Sequence, residues 1–323
     1  MSTLAITGIG GFIGLRMAER ARALGWTVRG LDVSAAAAER ARAVGAEVQV
    51  GDINDAALLA RCFAGADAVF HTAAIVEEDG DRALYERVNV EGTRSVCAAA
   101  AAQGVRRLVH LSSVMVYGFH YPDGVDESGP CRDDGNIYNE TKLRSERVAL
   151  DAHVPGALEV VVIRPGDVYG AGSQPWVRRP IELIRRGLFL LPDGGRGLIN
   201  HVHVDNLLDG VFLALQTTAT GEAYTISDGV ATPCHTFYAW HARIAGRPRL
   251  MSLPAWLLRP LVGAMAGLYR LLGRKPPASA AGLDFLLRRG RYSIAKAQRV
   301  LGYQPRIGLQ EGMDAIEREW REA

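Results

Sequence analysis

Short apolar runs alternate with Ala-rich amphipathic stretches along the first half of the chain. Residues 4–6, 28–31, 48–50, 68–71, 107–111 and 160–163 are each long enough for a buried strand and too short for a helix. Residues 35–44, 56–64 and 84–103 have helical length, and Gly45, Gly65 and Gly104 stand near their ends as stop signals. This alternation predicts an α/β fold, a doubly wound parallel sheet with helices on both faces. Beyond Arg164 the pattern loosens. Turns at 170–175 and 192–197 precede an expected strand over 199–204, a helix from Asp205 or Asn206 to Leu215, and a strand over 223–226. The expected organisation is a sheet domain over 1–170 with return elements at about 198–227, interleaved with a smaller part formed by 171–197 and 228–323.

One segment departs from this rhythm. Residues 253–272 read LPAWLLRPLVGAMAGLYRLL, with Leu257, Leu261, Met265, Leu268 and Leu272 on one helical stripe and Arg259, Gly263, Gly267, Arg270 and Arg274 largely opposite. Its central charge-free stretch, 260–269, falls well short of the roughly 17–25 apolar residues that a membrane span needs. Three readings remain: a core-facing helix, a lid over a greasy pocket, or an amphipathic helix in peripheral contact with a membrane.

The candidate chemistry begins at the amino terminus. Thr7-Gly8-Ile9-Gly10-Gly11-Phe12-Ile13-Gly14 joins the first apolar run to a helix-forming stretch. In such a turn Gly8 permits the tight bend and Gly11 lets the backbone approach a pyrophosphate. Gly14 lets helix pack on strand, and Phe12 and Ile13 open the helix whose positive end faces the phosphates. Asp32 ends the second apolar run, where a carboxylate can accept both ribose hydroxyls of NAD. The same carboxylate repels a 2′-phosphate, and Val33-Ser34-Ala35 offer no arginine, so NAD is favoured over NADP; Arg29 and Arg40 are the residues that bear on this choice.

Composition narrows the remainder. With 37 Lys+Arg against 35 Asp+Glu, nothing in the charge balance points to nucleic acid. Cys62, Cys97, Cys131 and Cys234 are scattered without metal-binding spacing and read as reduced thiols of a cytoplasmic protein. The first residues lack the basic region and apolar core of a signal peptide. His201 and His203 share a strand face but lack an evident third ligand, so no metal is expected. Residues 288–291, Arg-Arg-Gly-Arg, could meet a phosphate-bearing substrate or lipid headgroups, but a solvated basic turn is the favoured reading.

Tyr138 and Lys142 are one helical turn apart on a common face. A neighbouring ammonium favours phenolate and lowers a phenol's pKa toward a useful range, so Tyr138 can exchange a proton with a substrate hydroxyl. Leu111-Ser112-Ser113 ends a predicted buried strand, where a hydroxyl can bind the same oxygen.

With these residues in order, the chain resembles the extended short-chain dehydrogenase/reductases of the NAD-dependent epimerase/dehydratase superfamily, and within them the 3β-hydroxysteroid dehydrogenase group. The likeness is carried by the glycine turn, Asp32, Gly51-Asp52-Ile53, His71-Thr72-Ala73-Ala74, Asn89-Val90-Glu91-Gly92-Thr93, Ser112 to Gly118, Tyr138 to Lys142 and Arg164 to Gly170. It extends to Tyr224 to Asp228, Lys275-Pro276-Pro277, Tyr292 to Ala297 and Leu301 to Pro305. The resemblance implies a Rossmann domain with a substrate-binding part, Tyr138 as acid/base, Lys142 as its partner and ribose ligand, and Ser113 as the orienting hydroxyl. Asp52 and Ile53 would flank adenine, Ala73 and Ala74 would line the cofactor, and Pro165 and Val168 would pass beside the nicotinamide. Asn89 is either a fourth catalytic member, working through water, or a structural hydrogen-bonder between helix and strand, with structure favoured.

The resemblance also implies interconversion of a secondary alcohol and ketone on a small hydrophobic substrate, sterol-like or a long-chain lipid, by a homodimer. Sugar-nucleotide epimerases and dehydratases are the alternative, but residues 171–175 have no Asn, and Leu198-Ile199-Asn200 replaces an Arg-Asp pair those enzymes carry. A catalytically inactive NAD-binding regulator is a third reading, opposed by the intact Ser113, Tyr138 and Lys142.

Overall fold

A computed structural model describes residues 2–77, 80–247, 249–273, 276 and 279–322, the Arg270 side chain excepted. Arg274, Lys275 and Pro277, used in the sequence reading, lie outside the described residues. The regular elements of the first half are β1 (Thr3–Thr7), α1 (Phe12–Ala23), β2 (Thr27–Asp32), α2 (Ala35–Ala43), β3 (Glu47–Val50), α3 (Ala56–Phe63), β4 (Ala68–His71), β5 (Arg107–Leu111) and β6 (Glu159–Pro165). With the Glu222–Ile226 strand they form one seven-stranded sheet in the order Glu222–Ile226, β6, β5, β4, β1, β2, β3. All neighbouring strands are parallel.

The two-residue period of a strand sends Leu4 and Ile6 of β1 into one core and Ala5 into the other. The chain runs outward from β1 in both directions, to β2 and to β4, so the loops after β1 and β4 diverge and leave a crevice at their carboxyl ends. The glycine turn sits in that crevice.

Two predicted elements are subdivided. The helix expected over 84–103 is a helix (Arg82–Tyr85) that starts two residues earlier, a π-helical turn (Glu86–Glu91) and a second helix (Gly92–Ala102), and the wide turn carries Asn89. The expected strand over 199–204 is two. Leu198–Ile199 pairs with Thr232–Pro233, and His201–His203 pairs with Asp167–Tyr169. Asn200 breaks the run because its N–H donates to Asp167 (2.9 Å) and its Nδ2 to the Gly290 carbonyl (3.1 Å). Helix Val204–Gln216 then packs its Leu207, Leu208 and Val211 on the sheet.

The later chain forms its own apolar cluster from Tyr169, Ile181, Leu191, Phe237, Tyr238, Met313 and Ile316. Helix Ala255–Leu271 stands apart from it. Leu258 is buried and Val262 and Met265 half-buried, whereas Trp256, Leu268 and Leu271 are 74%, 56% and 87% exposed. The predicted stripe of Leu257, Leu261, Met265, Leu268 and Leu272 therefore does not form one buried face, because burial follows Leu258, Val262 and Met265 at four- and three-residue steps. Among the described residues, no helix is long and apolar enough to cross a membrane.

Candidate active site

Every residue predicted to touch cofactor or substrate lines one cavity of about 1050 Å³. At one end are Gly8, Gly11, Phe12, Ile13, Gly14, Asp32, Asp52, Ile53, Ala73 and Ala74; Ser113, Tyr138, Lys142, Pro165 and Val168 lie along it as well. Gly8 has φ +69°, which L side chains rarely adopt, and a Cβ there would lie 2.9 Å from the Ala73 backbone. At Gly14 a Cβ would lie 2.3 Å from the Gly8 carbonyl oxygen. Side chains are thus excluded from the cradle, and Gly11 caps α1 without a side-chain hydrogen bond. The first N–H groups of α1 remain for an anion, so these residues fit a dinucleotide phosphate.

Asp32 accepts hydrogen bonds from the N–H groups of Gly10 and Ser34, both at 3.0 Å, and its remaining lone pairs suit a ribose diol. Arg29 is occupied by Glu47 (3.2 Å) and the Ala64 carbonyl (2.5 Å), and Arg40 donates to the Gly10 carbonyl (3.0 Å); neither is among the cavity-lining residues. Asp52 is held below the usual carboxylate range, chiefly by the Asn54 N–H and further by the Asn54 side chain and Arg87. Ile53 closes on Gly92, where a Cβ would meet its side chain at 2.2 Å.

The reacting groups sit on helix Ile137–Asp151, whose start is fixed by Asn136 accepting from the N–H groups of Tyr138 (2.9 Å) and Asn139 (3.2 Å). Tyr138 and Ser113 lie side by side along the cavity. Burial raises the Tyr138 pKa and the Ser113 contact opposes the rise; the lowering expected from Lys142 is not what dominates here. Lys142 instead directs Nζ to the Leu111 carbonyl at 2.5 Å. Burial brings its pKa down to about 8, while Glu146 one turn on pulls it up.

Behind these groups lies a buried polar chain that the motif reading missed. Ser112 donates to Glu146 (2.7 Å), Glu146 receives the Arg164 guanidinium through Nε (3.0 Å) and Nη2 (2.5 Å), and Arg164 donates to the Tyr117 hydroxyl (2.8 Å). Both adjacent serines line the cavity, but they are told apart by their hydroxyls: Ser112 donates into this chain, whereas Ser113 Oγ accepts from the Met115 N–H (3.1 Å) beside Tyr138. The signal was present in sequence as Glu146 four residues after Lys142. Asn89 takes a structural place, accepting from the Ile75 N–H (2.8 Å) and donating to the Ile75 carbonyl and Thr141 (both 3.1 Å).

Two further residues depart from expectation. Arg288, read as part of a solvated turn, is fully buried and pairs with Asp167 at 2.8 Å, because the chain folds it under the cavity between Phe285 and Tyr292. Burial raises the Asp167 carboxyl while Arg288 pulls it down. Arg291 does remain exposed, on Asp123 at 2.6 Å. Asn139, which the sequence reading left without a role, is fully buried along the cavity, and neither amide atom has a hydrogen-bond partner. His201 and His203 serve as hydrogen-bonders, His201 to Asp228 (2.8 Å) and Thr232 (2.9 Å), His203 to the Asp205 N–H (3.2 Å). The other end of the cavity is walled by Trp176, Phe189, Tyr238, Leu258, Met265 and Phe285.

The model of the NAD dependent epimerase/dehydratase family matches residues 4–227. The chain belongs to that family. Over 96% of its length it is 32% identical to the 4-hydroxy-2-methyl-3-oxo-4-farnesyl-3,4-dihydroquinoline-1-oxide ketoreductase of Stigmatella aurantiaca, of which 94% is covered. Over 97% it is 30% identical to a 3β-hydroxysteroid dehydrogenase/Δ5→4-isomerase of Mycobacterium tuberculosis, of which 89% is covered. Among solved structures it is similar to MoeE5 in complex with UDP-glucose and NAD, at 26% identity and a TM-score of 0.78, with 99% of each chain covered. As a member of this family the protein is an NAD-dependent oxidoreductase acting on CH–OH groups.

Proposed function

We propose that the protein interconverts a secondary alcohol and a ketone on a hydrophobic substrate, sterol-like or a long-chain lipid. The observation that carries this reading is the continuity of one cavity from the glycine turn, past Ser113 and Tyr138, into a chamber walled by aromatic and aliphatic side chains. Apolar surface leaving water there contributes about 0.8 kcal/mol per methylene, and a sugar diphosphate would find few partners. The named substrates of the similar ketoreductase and steroid dehydrogenase agree with such a chamber.

In this reading Ser113 hydrogen-bonds the reacting oxygen and Tyr138 takes its proton in oxidation or supplies one in reduction. A bound NAD would supply the hydride acceptor for the carbinol carbon in oxidation, and its reduced form the donor to the carbonyl carbon in reduction. Lys142 holds positive charge beside Tyr138 and binds the nicotinamide ribose. The glycine turn, Asp32, Asp52, Ile53, Ala73, Ala74, Pro165 and Val168 hold the remainder of the cofactor. Residues 1–170 with 198–227 carry the cofactor, and 171–197 with 228–323 shape the substrate chamber. A homodimer and a peripheral contact of 253–272 with lipid complete the proposal.

The test is NADH formation on a panel of 3β-hydroxysteroids, β-hydroxy lipids and UDP-sugars. Net NADH from a steroid or lipid alcohol is expected. Conversion of a UDP-sugar without net NADH, with silence on the lipids, would transfer the protein to the epimerases that its solved structural neighbours include.

A further inference from the structure

The chain is close to charge balance, with 37 Lys+Arg against 35 Asp+Glu, yet its charges are unevenly placed. Between Asp228 and Asp284, every Lys, Arg, Asp or Glu is basic. Within that acid-free stretch, Arg247 and Arg249 are exposed and are followed by the strand Met251–Leu253, whose Met251 is 52% exposed. That strand leads directly into helix Ala255–Leu271, which presents Trp256, Leu268 and Leu271 to solvent. Arg243 of the same stretch is matched to Asp314 (3.3 Å) and Glu317, and Arg259 to Asp284 (2.6 Å), whereas among the described residues Arg247 and Arg249 face no such acid.

The same face contains the entrance to the cavity. Leu188 and Leu261 line the cavity and are also exposed, so its mouth opens among apolar side chains. Leu188 lies two residues before Leu190, which pairs with Met251. Exposed apolar groups thus border the opening, and the exposed Arg247 and Arg249 lead into the strand that lies beside it.

We propose that this face docks on an anionic lipid bilayer and that hydrophobic substrate passes from the bilayer through the mouth at Leu188 and Leu261. The proposal rests on the hydrophobic-substrate reading above and adds the surface from which that substrate comes. A bilayer suits both properties of the face: apolar side chains enter the acyl boundary while arginines meet anionic headgroups. A second copy of this chain would bring the same excess of positive charge against itself.

The test is co-sedimentation of the full chain with vesicles of phosphatidylcholine alone or mixed with phosphatidylglycerol, at low and high salt. Binding to the anionic vesicles that weakens with salt is expected. Each arginine at the surface adds about fivefold to binding, so the double variant Arg247→Glu, Arg249→Glu should bind roughly twentyfold more weakly or worse. Leu268→Ser with Leu271→Ser should also lose binding. None of these four residues lines the cavity, and all variants should retain NADH binding, which establishes that they fold. Equal binding to both vesicle types, or none, overturns the proposal. So does loss of a dimer in the leucine variant with vesicle binding unchanged, which would assign the face to a second copy. A vesicle failure with net NADH still formed from a lipid alcohol refutes docking alone; absence of that NADH refutes the substrate reading instead.

Discussion

Ser112 and Ser113 both line the cavity, but Ser112 donates to the buried Glu146 at 2.7 Å while Ser113 lies beside Tyr138 with its Oγ accepting from the Met115 N–H at 3.1 Å. Ser113→Ala should therefore lower kcat by about 10²–10³, the usual effect of losing one donor to a reacting oxygen. Ser112→Ala should leave turnover within a few-fold and cost about 1–3 kcal/mol, because Glu146 loses a buried donor. Steady-state rates with urea unfolding on both variants check this; equal loss of turnover would break the division.

Glu146 and Arg164 are both buried, so removing one partner leaves an uncompensated charge. Glu146→Ala should destabilise the fold by about 3–5 kcal/mol, and adding Arg164→Met should recover part of it. Glu146 also raises the Lys142 pKa, so in Glu146→Gln any limb of the rate profile belonging to Lys142 should move below its value of about 8. A pH–rate profile shifted upward would contradict the assignment.

Acid should weaken the fold before most carboxylates titrate. His71 is buried between Thr7 (2.6 Å) and Thr93 (3.0 Å), and burial takes its pKa down to about 3. Unfolded, it binds a proton near pH 6.5. Between these values the unfolded state holds more protons, so stability falls as pH drops from about 6.5, by up to about 1.4 kcal/mol per pH unit. Urea unfolding at several pH values should show this slope, reduced in His71→Leu; an unchanged slope would acquit His71.

Asp32 should govern cofactor choice. Asp32→Ala is expected to reduce the ratio of kcat/KM for NAD over NADP by at least about tenfold, since about 1.4 kcal/mol of charge repulsion is enough. A parent enzyme that already prefers NADP would refute this step.

The sheet was legible because each strand is a short apolar run closed by a turn residue, and the cavity's cofactor end because glycine turn, Asp32 and Tyr138–Lys142 are local motifs. What escaped depends on long-range partners. Nothing near Arg288 in sequence announces Asp167, 121 residues away, and a tract of three arginines in four residues ordinarily signals solvent. Likewise the Asn200 break in 199–204 arises from Asp167 and Gly290, which no local period reveals. The helix over 253–272 was recognised as amphipathic, but the stripe was set one residue out of phase at its start, on Leu257 and Leu261 instead of Leu258 and Val262, and it ran on to Leu268 and Leu272, which point to water.

The place of Glu222–Ile226 beside β6 has a consequence for biogenesis. Until Ile226 has left the ribosome, β6 presents an unpaired edge with Val160 to Ile163 at its centre, while five strands beside it can already assemble. A stalled or truncated nascent chain would carry that open edge, a template for pairing with other chains, so translation through 222–226 is the moment at which the growing polypeptide becomes safe from its own kind.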